Sequence, residues 1–521
     1  MKYQHAGLYA LFTISLGQSE ICIHSFAIRA IDYRKVPNNM KTTSVCQTIT
    51  QKRSLSNNIV VLATVALVGA LTACGGNINP VTNPTSAAKT AVQVSMGDAP
   101  SDSMLAFSMD ISSMSLTGSN GAVSVVASST PIELIHLTAT MQPLAMISAP
   151  QGSYTGASIS IASATVMYMD PTTKAPMQKT IAGPITATTT FSTPMTVGAT
   201  PMALGFDMNM ATSVTQDSNG NMTLNPVFSV TTEAQGSGNP LDPTFGGIQE
   251  MMGTVSSNSG SSFTMGSLQS TQGFTFATNS STQFDNINSM SMMTSGMLVT
   301  VDGNLQADGS LMATHVQSIM NSGGIMGGGV VTAVVGQPAT QLSIVMRNGA
   351  GAGMVLSSLA AGVTVDLNGS TVYQIDKDNV DMSSLPFTPV FDAGHIYAGQ
   401  GVMPISSAGM MNGGAGGGMM GGASIAGTIT ASSINLQQQG LSGTVATALT
   451  SGSRASFTMA LPPDSAFRTM TGATTVIVYQ QSGTTILGGA SIASGATVHT
   501  LGLLFLDAGQ WKMVASRMGP S

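Results

Sequence analysis

Four histidines follow residue 73: His136, His315, His395 and His499, each in a stretch that reads as strand. Imidazole moves protons near neutral pH, so these are the first residues to ask for chemistry. No His-Glu-x-x-His helix, nucleophile elbow or Gly-rich loop ending in Lys-Ser or Lys-Thr accompanies them, so zinc peptidase, triad and phosphate-cradling chemistries lack a template. The expectation is that no residue is catalytic and that the histidines are half-buried strand residues. The alternative is an envelope hydrolase whose His and Asp groups meet only in the fold. Asp376, Asp378 and Asp381 offer carboxylates of the kind Ca²⁺ prefers, but the run lacks the Gly and closing Glu of a calcium loop and reads as a solvated turn. Two methionine groups, Met290, Met292, Met293, Met297 and Met410, Met411, Met419, Met420, offer soft thioethers of the kind Cu(I) prefers, and that is a further alternative. Methionine also fills irregular gaps in cores, and on that reading no metal and no cofactor is expected.

The remaining reactive side chain is Cys74. Upstream of it, Ile59 to Ala73 is uncharged and follows Lys52 and Arg53. A run of that length falls short of the roughly 20 residues that span a bilayer, and it fits the basic and apolar regions of a secretory signal. Its end, Leu71-Thr72-Ala73-Cys74, resembles the lipobox of bacterial lipoproteins. That resemblance implies cleavage before Cys74, diacylglycerol on its thiol and acylation of the new amine. Several acyl chains at about 0.8 kcal/mol per buried methylene make such an anchor durable. Gly75 and Gly76 follow with no Asp, which by resemblance to enterobacterial lipoproteins implies an outer-membrane address, on either the periplasmic or the surface face. Cys22 and Cys46 lie upstream of the cut, so the mature chain is expected to hold no disulfide. Residues 1–39 carry Glu20, Asp32, Arg34 and Lys35, unusual before an export signal, and Met40-Lys41 is the expected start.

The elements that position these groups read as strands. Only 7% of residues are charged, too few to clothe the wet faces of helices, whereas Gly, Ser, Thr and Val are abundant. Past residue 73, nine Lys and Arg face twenty Asp and Glu, an acidic balance that argues against a nucleic-acid partner. The fold class expected is all-β: an N-terminal β-sandwich followed by three small barrel-like or curled-sheet modules.

Residues 74–90 read as a polar tether with Pro punctuation. The sandwich is expected over 91–235, where apolar residues alternate at Val92, Val94, Met96, at Phe107, Met109, Ile111 and at Ala157, Ile159, Ile161. Its Asp98-Ala99-Pro100 turn, the hairpin at 104–116, Pro131-Ile132-Glu133-Leu134-Ile135 and Gly152-Ser153-Tyr154 resemble an uncharacterised bacterial lipoprotein domain. The resemblance implies a sandwich and an envelope location, and no activity. Asp98 and Asp102 read as an Asx-type turn.

Three degenerate copies follow, opened by Gly253-Thr254-Val255, Gly329-Val330-Val331 and Gly443-Thr444-Val445, with Phe263-Thr264-Met265 recurring as Phe457-Thr458-Met459. They resemble a small all-β module of unknown function repeated in bacterial envelope proteins. The expected spans are 246–320, 326–405 and 423–521, with a Gly/Met linker at 409–422. The functional expectation is a non-catalytic lipoprotein, held to the membrane through Cys74, whose modules extend in series and bind a glycan or a protein ligand with avidity.

Overall fold

The computed structural model describes residues 12–16, 21–25 and 87–520, the last with gaps at 100–101, 138–140, 218–219, 236–246, 268–271, 321–324, 349, 352–361, 378–379, 407–424, 451–454 and 487–491. Leu71, Thr72, Ala73 and Cys74, and Asp378, lie outside the described residues. The chain divides into two units, Met1–Thr85 and Ser86–Ser521. In the first, Phe12–Leu16 pairs antiparallel with Ile21–Ser25. The second is almost wholly β, as its residue usage predicts.

Its N-terminal part is a sandwich. One sheet has the strand order Phe228–Ala234, Met202–Asn209, Lys89–Ala99, Met141–Pro150; the other runs Gly121–Val126, Met104–Gly118, Gly152–Met169, Pro176–Val197. The alternating residues named above point inward: Val92, Val94 and Met96 from one sheet meet Phe107, Met109, Ile111, Ile159 and Ile161 from the other in one core. Phe206 sits between Phe191 and Phe228, ring centroids 6.3 and 6.2 Å away. Such tilted aromatic pairs add about 0.5–1.5 kcal/mol beyond the area they bury.

Three further sheets share one plan. In the first, strands Gly247–Asn258, Ser262–Ser267, Gly273–Ala277, Leu298–Leu305 and Leu311–Met320 pair so that the first strand takes the second and fourth antiparallel, the second takes the third antiparallel, the fourth takes the fifth antiparallel, and the third closes on the fifth in parallel. Gln439–Val445, Ser456–Ala460, Thr475–Ile486, Thr497–Asp507 and Gln510–Pro520 repeat every one of those pairings as a closed barrel. Closure leaves no free edge for another chain to extend.

Between them, Gly329–Val335, Gln341–Met346, Gly362–Asp366 and Gly401–Ser406 follow the same order, and the fifth strand is split into Ile425–Thr430 and Ser433–Gln437. The stretch 425–437, read from the sequence as the opening of the third module, therefore completes the second sheet. The Gly/Met run at 409–422 falls within that sheet's chain rather than between modules, and the third barrel begins at Gln439. Periodicity alone cannot assign these strands, because what claims them is pairing with Gly362–Asp366 and Gly401–Ser406.

The glycine that opens each copy has a physical reason. A Cβ at Gly253, Gly329 or Gly443 would lie 2.3, 2.2 or 2.4 Å from the carbonyl oxygen of Gly266, Val345 or Ala460 on the neighbouring second strand. Only hydrogen fits where the neighbouring strand passes that closely.

The modules are joined, not strung out. Phe387 of the second packs against Tyr479 and Phe505 of the third, ring centroids 5.7 and 5.8 Å apart, within one continuous core. Leu105, Met167 and Met169 of the sandwich pack with Val330, Val345 and Ala466 of the second and third modules. Met252 and Leu298 of the first barrel meet Met403 of the second.

Candidate functional site

Where these units converge, a cavity of about 120 Å³ is walled by all four. The sandwich contributes His136 and Gln142, the first barrel Gln249 and Glu250, the second sheet Arg347, Asn348, Asp376 and Gln437, and the third barrel Gln439 and Arg517. No Ser, Thr, Cys or Tyr lines it among the described residues.

A local irregularity aims the first barrel's side chains. The register of Gly247–Asn258 against Leu298–Leu305 slips between Ile248 and Met251, and Glu250 within the slip has φ +48°. The left-handed region costs a non-Gly residue about 1 kcal/mol or more, and here the Glu250 N–H is held by Asp302 Oδ1 at 2.6 Å. This β-bulge turns Gln249 and Glu250 out of the alternating wall and toward the cavity.

The electrostatics follow from that placement. Glu250 is exposed toward the cavity; the protein crowded about its carboxyl, then Asp302 and Asp376, push it up to about 7, against a downward pull from Arg517. Arg517 is 8% exposed, and burial lowers its pKa against the support of Glu250 and Asp302. It stays a cation all the same, since guanidinium is not deprotonated in proteins. Asp376 Oδ2 accepts from Gln437 Nε2 at 2.7 Å, and Arg347 Nε donates to the Leu105 carbonyl at 2.6 Å. By contrast, Gln142 Oε1, Gln249 Oε1 and Gln439 Oε1 have no hydrogen-bond partner in the protein, although Gln142 and Gln439 are 8% and 4% exposed. All three oxygens are closed to solvent, so they are unmet within the wall and do not open into the cavity.

Residues 252–317 match the model of a domain of unknown function (DUF5666). No curated protein matches the chain. The DUF5666 stretch covers the first barrel from Met252 and begins just after the bulge that carries Glu250. It also holds the acid-histidine group of that barrel: His315 Nε2 lies 2.9 Å from Asp285 Oδ2 and its Nδ1 3.5 Å from Asp302 Oδ2. Asp302 thus links His315, half-exposed on the outer wall, to the backbone of Glu250.

The other sequence candidates are dispersed. His136 belongs to a 3₁₀ turn, not a strand, because the fully buried Glu133 gathers it: Glu133 Oε2 accepts from the His136 N–H at 3.0 Å and lies 2.7 Å from His136 Nδ1, while Oε1 accepts from the N–H groups of Phe107 and Ile135. His395 also departs from the strand expectation and lies in a bend, 2.7 Å from Asp392 Oδ1; that bond holds the Asp392 carboxyl below its usual range. His499 is in a strand, and burial lowers its pKa. Among the described residues no three His, Cys, Asp or Glu form a metal-holding group: Asp376 faces the cavity, whereas exposed Asp381 accepts from the Ser383 N–H at 2.8 Å. Met290, Met293 and Met297 are core of the first barrel, Met292 is exposed, and Met410, Met411, Met419 and Met420 lie outside the described residues.

Sequence reasoning missed Glu250, Arg517, Gln142, Gln249 and Gln439. Arg517 left a faint signal, since a lone charge among Val514, Ala515 and Met518 is an expensive residue to place on a barrel wall without a partner. The glutamines left none, because their role exists only where four units meet.

Proposed function

We propose that this chain is an outer-membrane lipoprotein, anchored through lipid on Cys74, whose folded body is a non-catalytic ligand-binding unit. The observation that supports binding is the cavity shared by the sandwich and the three modules, lined by His136, Glu250, Arg347, Asp376 and Arg517. Concave sites where folded units meet are the usual places for binding a small-molecule guest. The acidic balance of the mature chain argues against nucleic acid as that guest. Support for the anchor comes from the signal-like run ending in Leu71-Thr72-Ala73-Cys74.

A second reading, an envelope hydrolase, has one observation in its favour: Glu250 and Asp376 line the same cavity, and Glu250 titrates near 7, where a carboxylic acid can serve as a general acid. Native mass spectrometry of the protein extracted gently from its own envelope separates the two. A retained small molecule, released intact and unchanged on incubation, is expected for a binding protein. Conversion of that molecule by wild type, but not by Glu250→Gln, would establish the hydrolase instead.

A further inference from the structure

We infer that His315 is a proton-dependent latch on the cavity wall: its imidazolium bridges Asp285 and Asp302, Asp302 in turn holds the Glu250 bulge, and loss of the ring proton releases that hold. The inference goes beyond the binding reading and does not depend on what the cavity takes.

The placement of charge is the first observation. Residues 247–320 carry five titratable side chains, Glu250, Asp285, Asp302, Asp308 and His315, and no Lys or Arg. Asp308 sits in a turn and accepts from the backbone and hydroxyl of Ser310. The other four form one line of contacts from the outer wall to the cavity. His315 Nε2 lies 2.9 Å from Asp285 Oδ2, His315 Nδ1 lies 3.5 Å from Asp302 Oδ2, and Asp302 Oδ1 accepts the Glu250 N–H at 2.6 Å. The strands build this line, since His315 is the register partner of Asp302 on one side and of Gln283, two residues before Asp285, on the other.

Hydrogen-bond capacity is the second. A carboxylate only accepts, and a neutral imidazole carries a single N–H, so between two carboxylates it can donate to one and must turn a lone pair to the other. The imidazolium carries two N–H groups and satisfies both. On losing a proton the ring keeps its shorter contact, with Asp285, and Asp302 loses its donor. The Glu250 N–H then lacks the fixed acceptor that keeps residue 250 at φ +48°. A non-Gly residue stays in the left-handed region only where its surroundings hold it there. Once released, the bulge relaxes, and Gln249 and Glu250 move in the cavity wall they line. Imidazole is the side chain that ordinarily changes charge between pH 5 and 8, so the wall is fixed in acid and loosened toward alkaline pH. No Lys or Arg of the barrel competes for Asp302; the cation that acts on it is Arg517 of the third barrel, which together with Asp376 also acts on Glu250.

The test is a pH titration by nuclear magnetic resonance of the intact mature protein in detergent, isotope-labelled at glutamate nitrogen and histidine ring carbon. After residue 73 the chain holds three glutamates, Glu133, Glu233 and Glu250, and four histidines, few enough to assign with single variants. The Glu250 amide is expected to shift in a step that shares the midpoint of the His315 ring, and its exchange with solvent to quicken above that midpoint. In His315→Gln the step should vanish; in Asp285→Asn, which keeps the ring, the two midpoints should move together. A step that persists in His315→Gln would belong to the Glu250 carboxyl itself and would overturn the latch. Midpoints that separate in Asp285→Asn, or a Glu250 amide that stays still across the His315 titration, would overturn it as well. Asp285 is 59% exposed, so its variant keeps the test valid if His315→Gln disturbs the fold.

Discussion

The backbone N–H of Ser442 donates to both carboxylate oxygens of Asp102, at 2.9 and 2.7 Å, and so ties the turn between two sandwich strands to the first strand of the third barrel. The Asp102 carbonyl also accepts the Ala466 N–H at 2.6 Å, at the start of the short helix Ala466–Thr471. What the sequence presents as an Asx-type turn is thus a joint between units 340 residues apart.

That joint carries a pH dependence. Burial pushes the Asp102 carboxyl up to about 7, with Asp464 adding to the rise and the Ser442 bonds and Arg347 opposing it. Glu250, faced by Asp302, Arg517 and Asp376, is likewise raised to about 7. Both groups hold their protons more tightly folded than unfolded, so their contribution is full below about pH 4 and is lost as pH rises through about 7. The depressed carboxyls of Asp170, Asp308 and Asp392 act in the opposite sense, with stability present above about pH 4 and lost in acid. Thermal unfolding of the mature protein is expected to peak near pH 5 and to fall toward pH 8. In Asp102→Asn with Glu250→Gln that fall should flatten; a slope unchanged from wild type would contradict the assignment.

The crowded glycines give a steric prediction. Gly443→Ala places a methyl 2.4 Å from the Ala460 carbonyl and should destabilise by about 1–3 kcal/mol in urea titration, as overpacking does. Gly266→Ala, also in a barrel strand, meets nothing within 4 Å and should change stability by about 1 kcal/mol or less. Equal losses in the two variants would contradict the account of why each copy opens on glycine.

Phe387 lies between Tyr479 and Phe505 with Lys512 Nζ 4.7 Å from its ring centroid, so it belongs to two modules at once. Phe387→Ala should cost about 3–5 kcal/mol. Hydrogen exchange should accelerate over both 329–437 and 439–520; acceleration in the second sheet alone would show that the two modules do not share a core.

For the anchor, Cys74→Ser is expected to abolish lipid attachment and leave the signal run uncleaved before residue 74, read as an intact-mass shift and a lost acyl signal. A protein acylated as before would contradict the lipobox reading.

How much of this was legible beforehand divides along physical lines. Alternation placed Val92, Phe107 and Ile159 inside a sandwich, because strand periodicity is local. Gly253, Gly329 and Gly443 each stand early in the first strand of a sheet with the same pairing order, and each is pressed against a carbonyl of the second strand. The sequence places 425–437 in the third module because a Gly/Met run looks like a linker, whereas non-local pairing joins these strands to Gly362–Asp366 and Gly401–Ser406. Histidines and aspartates drew attention for their chemistry, yet Glu133 and His136 mainly secure a turn. The cavity groups were unreadable: Gln142, Gln249 and Gln439 lie far apart in sequence, and a glutamine's unmet bond is a property of the assembled fold.

The most direct test of the central claim, that the shared cavity binds a ligand, is hydrogen–deuterium exchange of the mature protein before and after removal of the small molecule it retains from its own envelope. The account predicts added protection in the loaded protein together around Gln142, at the Gln249–Met252 bulge and across Gln437–Gly440, three walls of the cavity. Exchange unchanged at all three, or protection confined to a different surface, would contradict it.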